Sequence, residues 1–71
     1  MRELIFEVEQ EEQGFSAEAL GEPIFTQGDT WEVLRANVQD ATRAHFFDAP
    51  ATEAPTSIRL CLRRTEVLAV A

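Results

Sequence analysis

The chain has no lysine and no tyrosine, and only one cysteine (Cys61), one histidine (His45), one tryptophan (Trp31) and one methionine. Each scarcity excludes something. A single cysteine cannot close an intrachain disulfide, and one cysteine with one histidine cannot complete a four-ligand zinc site. The glycines Gly14, Gly21 and Gly28 are evenly spaced and never cluster, so no glycine-rich loop cradles a phosphate. No run of about 18 apolar residues is present to cross a membrane, and no apolar signal-peptide core follows Met1. With a lone thiol, this leads us to expect a cytoplasmic location. Positive charge is short as well. Six arginines stand against thirteen Asp and Glu, a net charge of −7. Such a surface repels a phosphate backbone and suits a basic protein partner.

At 71 residues the chain is expected to be one domain spanning 1–71. A chain this short buries only about 60% of the surface that its unfolded form exposes. Small cores without staples supply roughly 3–5 kcal/mol. With disulfide and zinc excluded, a homo-oligomer (dimer or tetramer) is the expected remedy.

Hydrophobic periodicity divides the chain. Residues 2–9 alternate, with Leu4, Phe6 and Val8 on one face, which predicts a half-buried strand. Residues 10–14 are polar, end in Gly14 and predict a hairpin loop. Phe15, Ala17 and Ala19 predict a second strand. Gly21-Glu22-Pro23 predicts a turn, and Ile24–Gln27 a short third strand. From Thr30 to about Phe46 the period becomes 3.6, with Leu34, Val38, Ala41 and His45 on one stripe and Trp31 and Asn37 flanking it. Two prolines make 48–55 a loop, expected to be mobile. Ser57–Arg64 alternates again, with Ile58, Leu60 and Leu62 opposite Arg59, Cys61 and Arg63. Residues 65–71 are apolar, and are expected either to extend that strand or to pair with another subunit. The fold class is α+β, in the order β-β-β-α-β, with an antiparallel-rich sheet covered by one helix.

Between the third strand and the helix lies Gln27-Gly28-Asp29-Thr30. Gly28 is expected to supply the dihedral of the bend. Asp29 stands where an N-cap belongs, with Glu32 three residues on, the spacing of a capping box. The turn formed by Gly28, Asp29, Thr30 and Glu32 therefore reads as a folding device. Asn37, beside the buried stripe, is expected to bond to the backbone of a neighbouring strand or loop.

No catalytic set is recognisable. His45 lacks an identifiable second group and reads as a residue at the rim of the core. Cys61 has no identifiable activating partner and reads as a structural or semi-exposed thiol. No catalytic residue, cofactor or metal site is expected. The candidate interface residues are Trp31, Arg59, Arg63, Val67 and Val70. Trp31 reads either as packing over the sheet edge or as an interface anchor. Arg59, Arg63 and Arg64 read as solvated or subunit-bridging, or else as contacts to an anionic partner.

The segments Gly14-Phe15-Ser16-Ala17 and Thr26-Gln27-Gly28-Asp29-Thr30, with Asn37 and Ala41, resemble the N-terminal domain of HicB-like antitoxins over roughly residues 2–47. The resemblance implies a truncated ribonuclease H-like fold without that enzyme's acidic catalytic set. It further implies dimers or tetramers, and binding to a small basic ribonuclease toxin whose active site is masked. Leu20-Gly21-Glu22-Pro23-Ile24-Phe25 departs from the family's Pro-x-Leu-Pro-Gly-Cys stretch. No DNA-binding helices follow within the 71 residues, so direct DNA binding is not expected. The expected function is thus a non-catalytic, antitoxin-like interaction module. The alternative is a solitary homo-oligomer that binds a small ligand or another protein.

Overall fold

The computed structural model describes residues 2–64 and 66–70. Strand β1 (Glu3–Glu11) organises it. Its side chains alternate between faces. Leu4, Phe6 and Val8 point inward and are buried, while Glu3, Ile5, Glu7 and Glu9 point to the other face. β2 (Gly14–Ala19) lies antiparallel to β1, β3 (Phe25–Gly28) antiparallel to β2, and β4 (Ser57–Arg63) parallel to β1. The sheet order is β3-β2-β1-β4. The expected α+β class and element order are found, and two of the three pairings are antiparallel.

Helix α1 (Trp31–His45) joins β3 to β4 and packs against β3 and β2. Leu34 and Val38 fill the core with Leu4, Phe6, Val8, Ala17, Ala19 and Ile24. Half-buried Phe15, Trp31, Ala41, Phe46, Ile58 and Leu60 surround it. The stripe differs from the expected one in its second half. Thr42 is buried there, its hydroxyl donating to the Val38 carbonyl at 2.8 Å. That bond removes the penalty on a buried hydroxyl. Ala41 is half-buried, and His45 lies outside the core.

Two glycines let the helix sit low. Gly28 does not have a positive φ, so the bend makes no demand that only glycine could meet. The demand is space: a Cβ there would stand 2.5 Å from the Leu34 amide nitrogen and 2.8 Å from its Cα. Gly14 does adopt a positive φ, 144°, and a Cβ on it would stand 2.5 Å from the Gly28 carbonyl oxygen. The β1–β2 ladder continues through Glu11↔Gly14, so the hairpin loop is Glu12-Gln13 and not 10–14. Two-residue hairpins usually need a positive φ within the loop. Here neither loop residue has one, and Gly14 carries it instead.

The helix cap also lies one residue beyond its expected place. Thr30, not Asp29, is the N-cap, extended at φ −126° and ψ 163°, and its hydroxyl accepts from the Val33 amide at 3.1 Å. Glu32 is then the second helical residue. It cannot reach back as a capping box requires, although it does place negative charge in the first turn. The frame is fixed by the seat on Gly28, which sets where Leu34 must lie. The loop 48–55 carries hydrogen bonds of its own and is followed by a tie to the start of the chain. The Pro50 carbonyl accepts from the amides of Glu53 and Ala54. Both the amide and the hydroxyl of Thr56 donate to the Arg2 carbonyl.

Gly28→Ala is expected to cost about 3 kcal/mol, the upper end for an overpacked core, because backbone rather than a flexible side chain must yield. Urea unfolding of the two proteins checks this, and an alanine variant as stable as the parent would overturn it. In the same assay Thr30→Ala is expected to lose about 1 kcal/mol and Asp29→Ala clearly less. The reverse ranking would return the cap to Asp29.

Candidate functional site

The helix covers one face of the sheet and leaves the other open. The strand registers place Glu3, Ile5, Glu7 and Glu9 of β1, Ser16 and Glu18 of β2, Phe25 and Gln27 of β3, and Arg59, Cys61 and Arg63 of β4 on that open face. Arg59 Nε donates to Glu3 Oε1 at 3.0 Å, and Arg63 Nη1 stands 3.8 Å from Glu7 Oε2. The Glu3 carboxylate raises the pKa of the Arg59 guanidinium, chiefly by that hydrogen bond. Both arginine–glutamate pairs are exposed, where water and salt screen such contacts and leave them little net worth. Glu7 and Glu18 are register partners, a like-charge pair that the nearby Arg63 moderates. Glu9 and Glu18 have no cation within salt-bridge distance among the described residues. The open face is therefore acidic across β1 and β2, with its cations confined to β4. Phe25 stands on the same face, 63% exposed.

A second cluster closes the opposite end of α1. Arg2 Nη2 donates to Glu22 Oε1 at 2.8 Å, and His45 Nε2 lies 3.1 Å from Glu22 Oε2. Arg2 also donates through Nη1 to the Glu53 carbonyl, and its guanidinium lies 5.3 Å from the centre of the Phe46 ring. His45 meets Phe46 edge-on. The expectation that His45 has no second group is corrected: Glu22 is its partner. Hydrogen bonds from Arg2 and then from His45 hold the Glu22 carboxyl below its ordinary pKa. The cluster joins the start of β1, the β2–β3 turn, the end of α1 and the loop beyond it.

The expected site residues fall in several places and do not converge. Gly28, Asp29, Thr30 and Glu32 lie at the helix N-terminus. Trp31 is half-buried against Phe15, with ring centroids 5.4 Å apart at 74°, as packing over the sheet edge requires. Beside it, Asn37 Nδ2 donates to the Gln27 carbonyl at 2.7 Å, the expected tie from helix to strand. Arg59 and Arg63 are on the open face. Val67 and Val70 stand 91% and 99% exposed in residues 66–70, which form no strand. Thr65 and Ala71 of that expected apolar segment lie outside the described residues. Sequence reasoning missed Phe25 as a surface residue, because a four-residue strand gives too short an alternation to assign a face. It missed Glu22 because the partners of that residue are distant in sequence.

Among the described residues no group of three or more His, Cys, Asp or Glu side chains could hold a metal ion. No helix among them is long and apolar enough to cross a membrane. Cys61 is a free, exposed thiol. A shallow depression of about 580 Å³ beside the turn is lined by Glu11, Gln13, Gln27, Asp29 and Asn37, among others.

Two curated proteins are similar to this chain, both described as "UPF0150 protein". The one from Archaeoglobus fulgidus is 46% identical over 43 residues, 61% of this chain and 65% of that protein. The one from Thermotoga maritima is 44% identical over 46 residues, 63% of this chain and 66% of that protein. The match thus spans a little under two thirds of each relative's length. No family model matches the chain. No solved structure matches it.

Glu22→Gln is expected to destabilise the fold at neutral pH. The folded-state pKa of Glu22 is lowered, so its contribution is fully present above the ordinary value of 4.5 and is lost as pH falls through the lower folded value. The stability gap between parent and variant should shrink as pH falls below that ordinary value, where the parent's carboxylate takes up a proton. Thermal unfolding across a pH series checks this, and a gap unchanged in acid would sink it.

Proposed function

We propose that this chain is a non-catalytic, antitoxin-like interaction module that self-associates and binds a small basic ribonuclease toxin, masking its active site. The observation that carries this reading is the uncovered, acidic sheet face of β1 and β2, with no cation within salt-bridge distance of Glu9 or Glu18 among the described residues and Phe25 exposed beside them. A charged surface with an exposed aromatic is a sound platform for a partner of opposite charge. The net charge of −7 favours encounter with such a partner at long range. The HicB-like segments at 14–17 and 26–30 supply the class of partner.

A second reading, a solitary homo-oligomer that binds a small ligand or another protein, draws on the depression beside the turn. Its volume of about 580 Å³ falls within the usual range for ligand sites, roughly 300–1,000 Å³. Its lining is largely polar, whereas ligand sites are mostly apolar, so the first reading stands ahead.

The test uses a small basic ribonuclease encoded beside this chain's gene, with association followed by surface plasmon resonance. Between about 0.01 M and 1 M salt the screening length falls from roughly 30 Å to 3 Å. The association rate is expected to fall at least about tenfold over that range, and Glu9→Gln with Glu18→Gln should slow it at low salt. A rate indifferent to salt and to both substitutions would remove the acidic face from recognition. Absence of any complex would transfer the weight to the second reading.

A further inference from the structure

We propose that the free edge of β4 and the apolar arm 66–70 form a two-fold dimer, each arm lying antiparallel along the partner's β4. The proposal deepens the self-association part of the reading above and does not depend on the basic partner. Of the two sheet edges, β3 is protected. The Ala19 amide donates to the Ile24 carbonyl, so by alternation the Gln27 backbone groups face away from β2. Asn37 occupies the Gln27 carbonyl, and the strand is only four residues long. The β4 edge is seven residues long and has no neighbouring strand on its outer side among the described residues. An open edge of that length is a template for pairing.

The inner face of β4 is also under-covered, because α1 packs on β3 and β2. Ile58 and Leu60 are only half-buried, and Leu62 is 50% exposed. A groove of about 360 Å³ runs between α1 and β4, lined by apolar Val38, Ile58 and Leu60 together with polar Arg35, Gln39 and Arg43. The arm that could fill such a groove does not pack on its own body. Val67, Leu68 and Val70 are all exposed. The chain measures 56 Å along one axis and 19 and 17 Å along the others, with a radius of gyration of 14.1 Å. A compact chain of this length would have about 11 Å.

The sequence selects the register. In the proposed pairing the arm carries on the alternation of β4, and residues directly opposite in an antiparallel pair share a face, so inward Ile58, Leu60 and Leu62 meet the even-numbered residues 64, 66, 68 and 70. Setting Arg64 opposite the partner's Glu66 places Leu62 opposite the partner's Leu68 and Leu60 opposite the partner's Val70. Within one chain Arg64 Nη2 already reaches Glu66 Oε1 at 3.9 Å, so these side chains have the lengths and charges to pair. The neighbouring registers of the same parity oppose Arg64 to the partner's Arg64, or Glu66 to the partner's Glu66, which like-charge repulsion disfavours. On the outer face the selected register brings Cys61 opposite the partner's Ala69.

The lone thiol makes the register measurable. Directly opposed Cα atoms in an antiparallel ladder lie about 4.5–5.5 Å apart, within the roughly 4.4–6.8 Å that a disulfide spans. The full chain carrying Ala69→Cys is oxidised mildly and run without reductant beside Val67→Cys and the Cys61→Ser/Ala69→Cys control, with light scattering on the parent. The expected result is a dimer by scattering and a disulfide-linked dimer from A69C, at least about tenfold more than from V67C, with none from the control. A monomer by scattering at micromolar concentration overturns the dimer and the self-association reading with it. A dimer in which V67C links as readily as A69C, or neither links, overturns this pairing and leaves self-association standing.

Discussion

The Leu34 amide lies so close above Gly28 that a methyl group on that glycine would stand 2.5 Å from it. Much of the architecture follows from this one contact. It fixes the height of α1 above β3 and the frame in which the helix starts. Thr30 becomes the cap, and the rings of Trp31 and Phe15 meet over the sheet end. Small residues beneath, Ala17 and Ala19, accept a helix at that height. Gly14 is linked to the same seat, since its missing side chain leaves room for the Gly28 carbonyl. A helix held so firmly over β3 and β2 cannot also cover β4, and the partial exposure of Ile58, Leu60 and Leu62 is the direct consequence.

The other end of the helix is held by charge rather than by close approach. Arg2, Glu22 and His45 bring together residues from the start, the middle and the helical end of the chain, and Phe46 closes the cluster from the side. Its members are partly exposed, so each contact is individually modest. Their value lies in joining three connections that share no strand pairing. The two ends thus divide the labour: steric fit sets the position of α1, and the ion cluster stops its far end from lifting.

Sequence patterns gave a reliable account of faces and a poorer one of partners. Leu4, Phe6 and Val8 announce their inward face by alternation alone, and so do Ile58, Leu60 and Leu62, because period 2 is a local property. Asn37 was legible too, since a polar residue beside a buried stripe must bond to something nearby. The cap was misplaced by one residue because Asp29 and Thr30 are both competent caps. The choice between them is made by the contact at Gly28, which acts across the strand–helix turn. Glu22 as the partner of His45 was not legible for the same reason: only the finished topology brings the β2–β3 turn beside the end of α1. The parallel placement of β4 against β1 is likewise set by where the helix delivers the chain.

A core of eight buried apolar residues among those described is small, and the apolar side chains of Val67, Leu68 and Val70 add nothing to it within one chain. In a protein of this length each exposed apolar residue forgoes about 1.5–3 kcal/mol that burial would supply. That is comparable with the whole stability expected of a core this size. Such an arm has a physical rationale if another surface receives it, and along β4 the helix leaves Ile58, Leu60 and Leu62 partly bare. The acidic open face has a different character, with its unpartnered glutamates on β1 and β2 and its cations held at β4. The single helix seat therefore separates two surfaces. One, at β4, is apolar and edge-like, suited to a copy of the same chain. The other, across β1 and β2, is charged and suited to a partner of opposite sign. Pairing along β4, as proposed, would leave that charged face free, because the two surfaces lie on different parts of the sheet.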